Sequence, residues 1–238
     1  MNPPAKYIAT IAPVREVTLV GTSDPGYWRQ HLRGTGFMPC VKDGTTELTV
    51  SAIASKWMGL PFRELSFALP VSHQEGAPPD GLYFLAAFNS SRFLAFCERF
   101  FFQTPYVAGR LEVQEQPPAT FQLRIGTDTL LRVEMAAGGQ PLRQEYEVWE
   151  GALFLPGKTG GASDKVFYAR LEGETAVHPF TARDMVTLVP TAQHPVLQWL
   201  QDARFAGREW HLRTAATHAR SKTYRYAPEA SREWSHAP

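Results

Sequence analysis

Phe62-Arg-Glu-Leu-Ser-Phe-Ala-Leu-Pro-Val71 is the stretch on which the fold turns. Side chains alternate between the two faces of a strand, so Phe62, Glu64 and Ser66 share one face. Arg63, Leu65, Phe67 and Leu69 share the other, which is the more apolar. A carboxylate in such a strand is a solvated outer residue unless its face lines a cavity. The strand alone leaves the role of Glu64 open between those two readings.

The same period-2 pattern recurs on both sides. It runs through Val17-Thr-Leu-Val, Glu47-Leu-Thr-Val-Ser-Ala-Ile, Leu111-Glu-Val, Phe121-Gln-Leu-Arg-Ile and Leu130-Leu-Arg-Val-Glu-Met. It continues in Tyr146-Glu-Val-Trp, Val166-Phe-Tyr-Ala-Arg-Leu and Trp210-His-Leu-Arg-Thr. Half-buried antiparallel strands read this way. Turn signals at Lys42-Asp-Gly, Gly126-Thr-Asp, Ala137-Gly-Gly and Gly157-Lys-Thr-Gly-Gly separate them. Helical signals are few. From Ser91 to Phe102, Phe93, Leu94, Phe96, Cys97, Phe100 and Phe101 fall on one stripe, with Asn89 or Ser90 as cap and Pro105 as stop. Asp24–Leu32, with Asp24 as cap and Pro25 at the first helical position, and His194–Ala203 are the other two. About ten strands and three short helices predict a mainly β (α+β) chain, an antiparallel barrel or sandwich with helices attached. No linker or repeat divides it, so residues 1–226 are read as one domain and 227–238, polar and Pro-rich, as a flexible tail.

Composition narrows the function. With 238 residues, 44% hydrophobic and 20% charged, the chain is globular, not disordered. Its net charge of +1 shows no excess that would attract nucleic acid or an anionic membrane. No apolar run approaches the roughly 20 residues of a spanning helix, and the N-terminus makes a poor signal peptide, so a cytoplasmic location is expected. Two cysteines, Cys40 and Cys97, exclude a disulfide scaffold and are read as free thiols. The seven histidines have no metal-ligand spacing. His211 and His218, seven apart on a strand, are expected to face opposite sides. Pro156-Gly-Lys-Thr-Gly-Gly161 lacks the first glycine of a phosphate loop, since position 152 is alanine. Gly161-Ala-Ser-Asp lacks the second glycine of a nucleophile elbow. Arg220, Lys222 and Arg225, with Tyr224 and Tyr226, read as a solvated strand face.

The chain resembles the acetoacetate decarboxylase-like superfamily. That family has a Tyr-x-Glu-x-Gly-x-x-Ile-Pro-Val strand, then a Gly-x-Tyr strand, a helix ending Gly-Arg-Glu and a Tyr/Phe-Pro-Lys-Lys loop. Here these correspond to Phe62–Val71 with Glu64, Gly81-Leu-Tyr83, Glu98-Arg99-Phe100 and Thr104-Pro105-Tyr106-Val107. Spacing from Gly81 to Val107 needs no gap, and Arg15-Glu16 resembles the family's Arg-Glu dipeptide. The resemblance covers about residues 13–115 and extends to a sister group of uncharacterised bacterial proteins. It implies an antiparallel acetoacetate-decarboxylase-like barrel and a homo-oligomer, dimer or higher.

The departures from the family pattern define the chemistry. The lysine pair that the family uses for imine formation is replaced by Tyr106 and Val107, and a further acidic pocket position by Thr49. An activated lysine is what makes that route work, and neither Tyr106 nor Val107 has an amine. The remaining candidate catalytic residues are Arg15, Glu64 and Tyr106. Arg15 would bind a carboxylate or enolate oxygen, Glu64 would act as acid or base, and Tyr106 would donate to a developing oxyanion. The competing structural reading makes Arg15–Glu64 a salt bridge with Tyr106 packed beside it. The expected function is a cofactor-independent enzyme that acts on a small organic acid or carbonyl compound by proton transfer: a lyase, dehydratase, isomerase or cyclase. It needs no metal, no cofactor, no nucleic acid and no membrane. The alternatives are a non-catalytic protein binding a small-molecule ligand in the same cavity, or an assembly role for the Phe-rich helix.

Overall fold

The computed structural model describes residues 6–136, 139–157, 163–189 and 194–226. Parts of the turns expected at Ala137-Gly-Gly and Gly157-Lys-Thr-Gly-Gly, and the tail expected from 227, fall outside the described residues. In chain order the elements are β1 (Tyr7–Ser23), α1 (Pro25–His31), β2 (Met38–Pro39), β3 (Val41–Lys42), β4 (Thr45–Trp57) and β5 (Leu60–Ser72). Then come β6 (Gly81–Asn89), α2 (Arg92–Phe101), β7 (Tyr106–Ala108), β8 (Arg110–Gln114), β9 (Thr120–Ile125) and β10 (Asp128–Glu134). The chain continues through β11 (Arg143–Phe154), β12 (Lys165–Pro179), β13 (Met185–Leu188), α3 (Pro195–Asp202), β14 (Ala206–Ser221) and β15 (Tyr224–Arg225).

The larger sheet follows the order β2-β5-β4-β1-β14-β12-β11-β6-β7. β5 also pairs with β6, so β5, β4, β1, β14, β12, β11 and β6 close a circuit of seven strands. Every pairing in that circuit is antiparallel except β6–β11. Gly81 permits that parallel contact: a Cβ there would lie 2.5 Å from the Ala152 carbonyl oxygen. The smaller sheet, β13-β10-β9-β8, is wholly antiparallel.

The alternation read from Phe62 to Val71 holds. Leu65, Phe67 and Leu69 join Val17, Leu19 and Val50 in a continuous core with Phe121, Leu123 and Leu131 of the smaller sheet. Trp28 of α1 and Leu197 of α3 complete it. Each such side chain contributes roughly 1.5–3 kcal/mol on burial, so this face stabilises the fold far more than three short helices do. The opposite face carries Phe62, packed with Val14, Ile53, Ala216 and Leu94 of α2.

All three helices fall where capping and periodicity place them. Asp24 accepts from Gly26 N at 2.7 Å, with Pro25 in the first turn. The cap of α2 is Ser91, not Asn89 or Ser90. The helix is also turned differently from its apolar stripe. Ala95 is its one buried residue, whereas Phe93, Phe96, Phe100 and Phe101 are 57–66% exposed. Cys40 and Cys97 are free thiols. Among the described residues no helix is long and apolar enough to cross a membrane.

Candidate active site

Register fixes which polar residues meet. Arg213, Glu16, Ile53, Glu64 and Asn89 are successive cross-strand partners on β14, β1, β4, β5 and β6. Paired residues project to the same face. One row further along, His211, Thr18, Ser51, Ser66, Ala87 and Tyr106 do the same. This face, which α2 covers with Leu94 and Ala95, carries two separate carboxylate centres.

The first centre is Glu64. Its Oε2 accepts the Tyr106 hydroxyl at 2.9 Å, and its Oε1 accepts Asn89 Nδ2 at 2.8 Å. Tyr106 arrives there because Pro105 follows the end of α2 and the short β7 runs parallel to β6, pairing Tyr106 with Ala87. Asn89 is fully buried, and its Oδ1 accepts Ser91 N at 2.8 Å, which ties the site to the start of α2. From α2, Glu98 points to the same place. Its carboxylate accepts Thr104 Oγ1 at 2.9 Å and Arg220 Nη1 at 2.5 Å. The Arg220 guanidinium packs over the rings of Phe102 and Phe167, 4.4 Å from each centroid. Phe84 spans from Phe167 to Tyr106 at centroid distances of 5.9 and 6.0 Å.

This environment sets the protonation states. Glu64 keeps some accessible surface as a residue, but its carboxyl is enclosed by protein. Burial and the nearby Glu98 charge push its pKa up to about 7, against the opposing pull of Tyr106, Arg220 and Asn89. Tyr106 is pushed well above its ordinary range by burial and by the two carboxylates. Glu64 thus exchanges a proton near neutrality, and Tyr106 stays a hydrogen-bond donor. No lysine takes part in the hydrogen bonds or ion pairs of Glu64, Tyr106, Glu98 and Arg220 among the described residues. Lys56 and Lys222 are exposed.

The second centre is Glu16, two strands and so about 10 Å from Glu64 along the row. It accepts from Arg213 Nη1 and Thr18 Oγ1 at 2.7 and 2.6 Å, and His218 Nε2 lies 2.9 Å away. Arg213 also binds Thr175 and Glu147. Burial would raise the Glu16 pKa, but the Arg213 charge and the His218 hydrogen bond override it and hold it down at about 2. This centre is a satisfied ion network.

Arg15 does not join either centre. It lies on the other side of β1 from Glu16, its side chain is 53% exposed, and it pairs with Glu115 at 2.8 Å. Of the three candidates from sequence, the structure brings Glu64 and Tyr106 together and places Arg15 elsewhere, so there is no Arg15–Glu64 salt bridge. Alternation along β1 accounts for this: Arg15 and Glu16 cannot both point inward, and Glu16 does.

Asn89, Glu98 and Arg220 were not legible as site residues. Arg220 is no solvated strand residue. β14 holds one extra residue opposite β1 between Arg213 and Ala216, and that bulge flips the alternation. His211, Arg213, Ala216, His218 and Arg220 therefore all face the same way, and His211 and His218 do not point apart. Among the described residues no group of three or more His, Cys, Asp or Glu is placed to hold a metal ion.

No family model matches the chain, and no curated protein matches it. Solved structures do. The acetoacetate decarboxylase of Legionella pneumophila subsp. pneumophila strain Philadelphia 1 is 14% identical, with a TM-score of 0.61 over 95% of this chain and 93% of that one. An acetoacetate decarboxylase-like enzyme from Sphingomonas wittichii RW1 is also 14% identical, with a TM-score of 0.56 over 91% and 92%. The enduracididine biosynthesis enzyme MppR complexed with pyruvate is 11% identical, with a TM-score of 0.60 over 96% and 93%. The chain has the acetoacetate decarboxylase-like fold, an antiparallel-rich β architecture with three short helices.

Proposed function

We propose that the protein is a cofactor-independent enzyme that acts on a small organic acid or carbonyl compound by proton transfer, without an imine. The observation that carries this reading is the Tyr106–Glu64–Asn89 cluster. It holds an enclosed carboxyl that changes charge near pH 7 beside a hydroxyl that stays protonated. In the proposed step, ionised Glu64 takes a proton from the carbon next to a carbonyl. The C–H electron pair moves into the carbonyl, and the new enolate oxygen accepts a hydrogen bond from Tyr106. Return of the proton to a carbon or to a leaving group completes a lyase, dehydratase, isomerase or cyclase reaction.

Two further observations support this reading. By the resemblance of Thr104-Pro105-Tyr106-Val107 to the family's Tyr/Phe-Pro-Lys-Lys loop, Tyr106 takes the place of the imine-forming lysine, and a phenol cannot form an imine. A protein of the same fold, MppR, has been solved with pyruvate and with the condensation product of pyruvate and imidazole 4-carboxaldehyde. Small 2-oxo acids are thus the first substrates to try. The test is proton NMR of pyruvate and 2-oxobutyrate in deuterium oxide. The protein should accelerate exchange of the protons next to the carbonyl, and Glu64→Gln should abolish that. Binding of the acids without any exchange would leave a non-catalytic binding protein and overturn the enzymatic reading.

A further inference from the structure

Arg220 has a donor that no described residue uses. Its Nη1 is committed to Glu98, and its Nε reaches the Ser221 carbonyl at 3.4 Å. Its Nη2 is buried and has no hydrogen-bond partner. A buried guanidinium N–H left unpaired is costly, more so than a neutral donor, and buried polar groups are almost always satisfied. An unpaired one next to an acid–base pair points to a partner that arrives from outside.

The surroundings define that partner. The guanidinium carbon lies 4.4 Å over both the Phe102 and the Phe167 ring, and these contacts restrict the direction of its fork. Phe84 joins the Phe167 ring to the Tyr106 ring, which places Arg220 and Tyr106 along one aromatic wall. Thr104 lies between them in the chain of contacts, 2.9 Å from Glu98 and two residues before Tyr106. A depression of about 400 Å³ opens beside Thr104 and Pro105, with Arg99 and Lys165 in its lining. Both of those side chains are cationic, so the depression favours an anion, and it adjoins the cluster through Thr104, which bonds Glu98.

We propose that Arg220 is the residue that binds the carboxylate of the substrate, through its unused Nη2, and presents the adjoining carbonyl to Tyr106 and Glu64. This rests on the reading of that cluster as a proton-transfer site, and it narrows the substrate to an acid. A neutral ketone or aldehyde of the same size leaves Nη2 unpaired and binds poorly. Arg220 therefore takes the part that sequence reasoning gave to Arg15. A guanidinium suits it because two of its N–H groups can be divided between Glu98 and the ligand, which an ammonium cannot do in one plane.

The test measures binding, independently of turnover. Isothermal titration is run with acetoacetate and pyruvate, and with the neutral amides acetoacetamide and pyruvamide. The wild-type protein should bind the acids, and Arg220→Met should weaken them by about ten- to a hundredfold, the range for a hydrogen bond to a charged group. The amides should bind weakly and equally to both proteins. Arg220→Met strands Glu98, so the double variant Arg220→Met/Glu98→Gln is measured as well and should show the same selective loss. Arg220→Lys should recover part of the acid affinity. If the acids bind the variants as they bind the wild type, Nη2 merely holds a water and the proposal fails. Equal losses for acids and amides, or no saturable acid binding by the wild type at millimolar concentration, would overturn it too. Proton exchange is scored separately: acids that depend on Arg220 but show no exchange would refute the enzymatic reading and leave this assignment standing.

Discussion

The Tyr106 hydroxyl donates to Glu64 Oε2 across 2.9 Å, although the two residues are 42 positions apart. The contact opposes its surroundings. Burial and Glu98 favour neutral Glu64, while a donor on Oε2 favours the ionised form. Glu64 titrates near 7 because burial and Glu98 outweigh the donors, which offset only part of the upward push.

Tyr106→Phe removes the donor and so should raise the Glu64 pKa further. The acidic limb of the pH–rate profile for proton exchange, where the rate falls as Glu64 becomes protonated, should move to higher pH. The maximal rate should fall by about 10²–10³, the usual loss of one oxyanion donor. A limb that stays in place would show that the hydroxyl does not stabilise the ionised carboxylate.

Glu64 makes stability depend on pH in a direction opposite to most carboxylates. Its folded pKa of about 7 exceeds the ordinary 4.5, so the folded state binds more protons between those values. Its contribution is fully present below about 4.5 and is lost as pH rises through 7. Glu64→Gln cannot ionise, so it should gain on the wild type by on the order of 3 kcal/mol between pH 4 and pH 8. Urea unfolding at both pH values gives the comparison, and parallel curves would refute it.

Glu16 works the other way. Its pKa is held near 2, so its contribution is present above 4.5 and is lost as pH falls through about 2. Arg213→Met strands that charge and should cost about 3–5 kcal/mol at pH 7, as for other broken buried pairs. Denaturant midpoints report the loss; one below about 1 kcal/mol would mean that water reaches Glu16 freely.

Borohydride reduction with pyruvate or acetoacetate present should leave the intact mass unchanged. A stoichiometric lysine adduct would show that an imine forms despite Tyr106.

The outward face of α2 should be an interface between copies of this chain. Phe93, Phe96, Phe100 and Phe101 stand exposed together, an apolar patch that monomers rarely keep in water. Light scattering at micromolar concentration should give at least twice the chain mass, and Phe100→Glu should lower it. A wild-type mass equal to one chain would refute this.

Alternation made much of the architecture readable. Leu65, Phe67 and Leu69 face the core as their spacing requires, and Asp24 caps the helix it precedes. Glu64 and Tyr106 were reached through the family resemblance, whose gapless spacing is local; strand parity alone left Glu64 open, and the structure joins the two at 2.9 Å. Arg15 was misplaced because a dipeptide resemblance cannot tell which of two neighbours points inward. Arg220 and Glu98 depend on contacts 122 residues apart and on a bulge in β14, neither of which leaves a local mark. The exposed phenylalanines of α2 show that an apolar stripe reports what a helix can bury and not which side its own chain will cover.

The pairing of β1 with β14 has a consequence for biosynthesis. Glu16 meets Arg213 across 197 positions of chain. At about 5–20 residues per second, a ribosome takes roughly 10–40 s to supply the second strand after the first. Through that interval one edge of β1 has no mate and is open to wrong neighbours. The seven-stranded circuit closes only once nearly all of the chain has been made, which makes nascent protein its most aggregation-prone form.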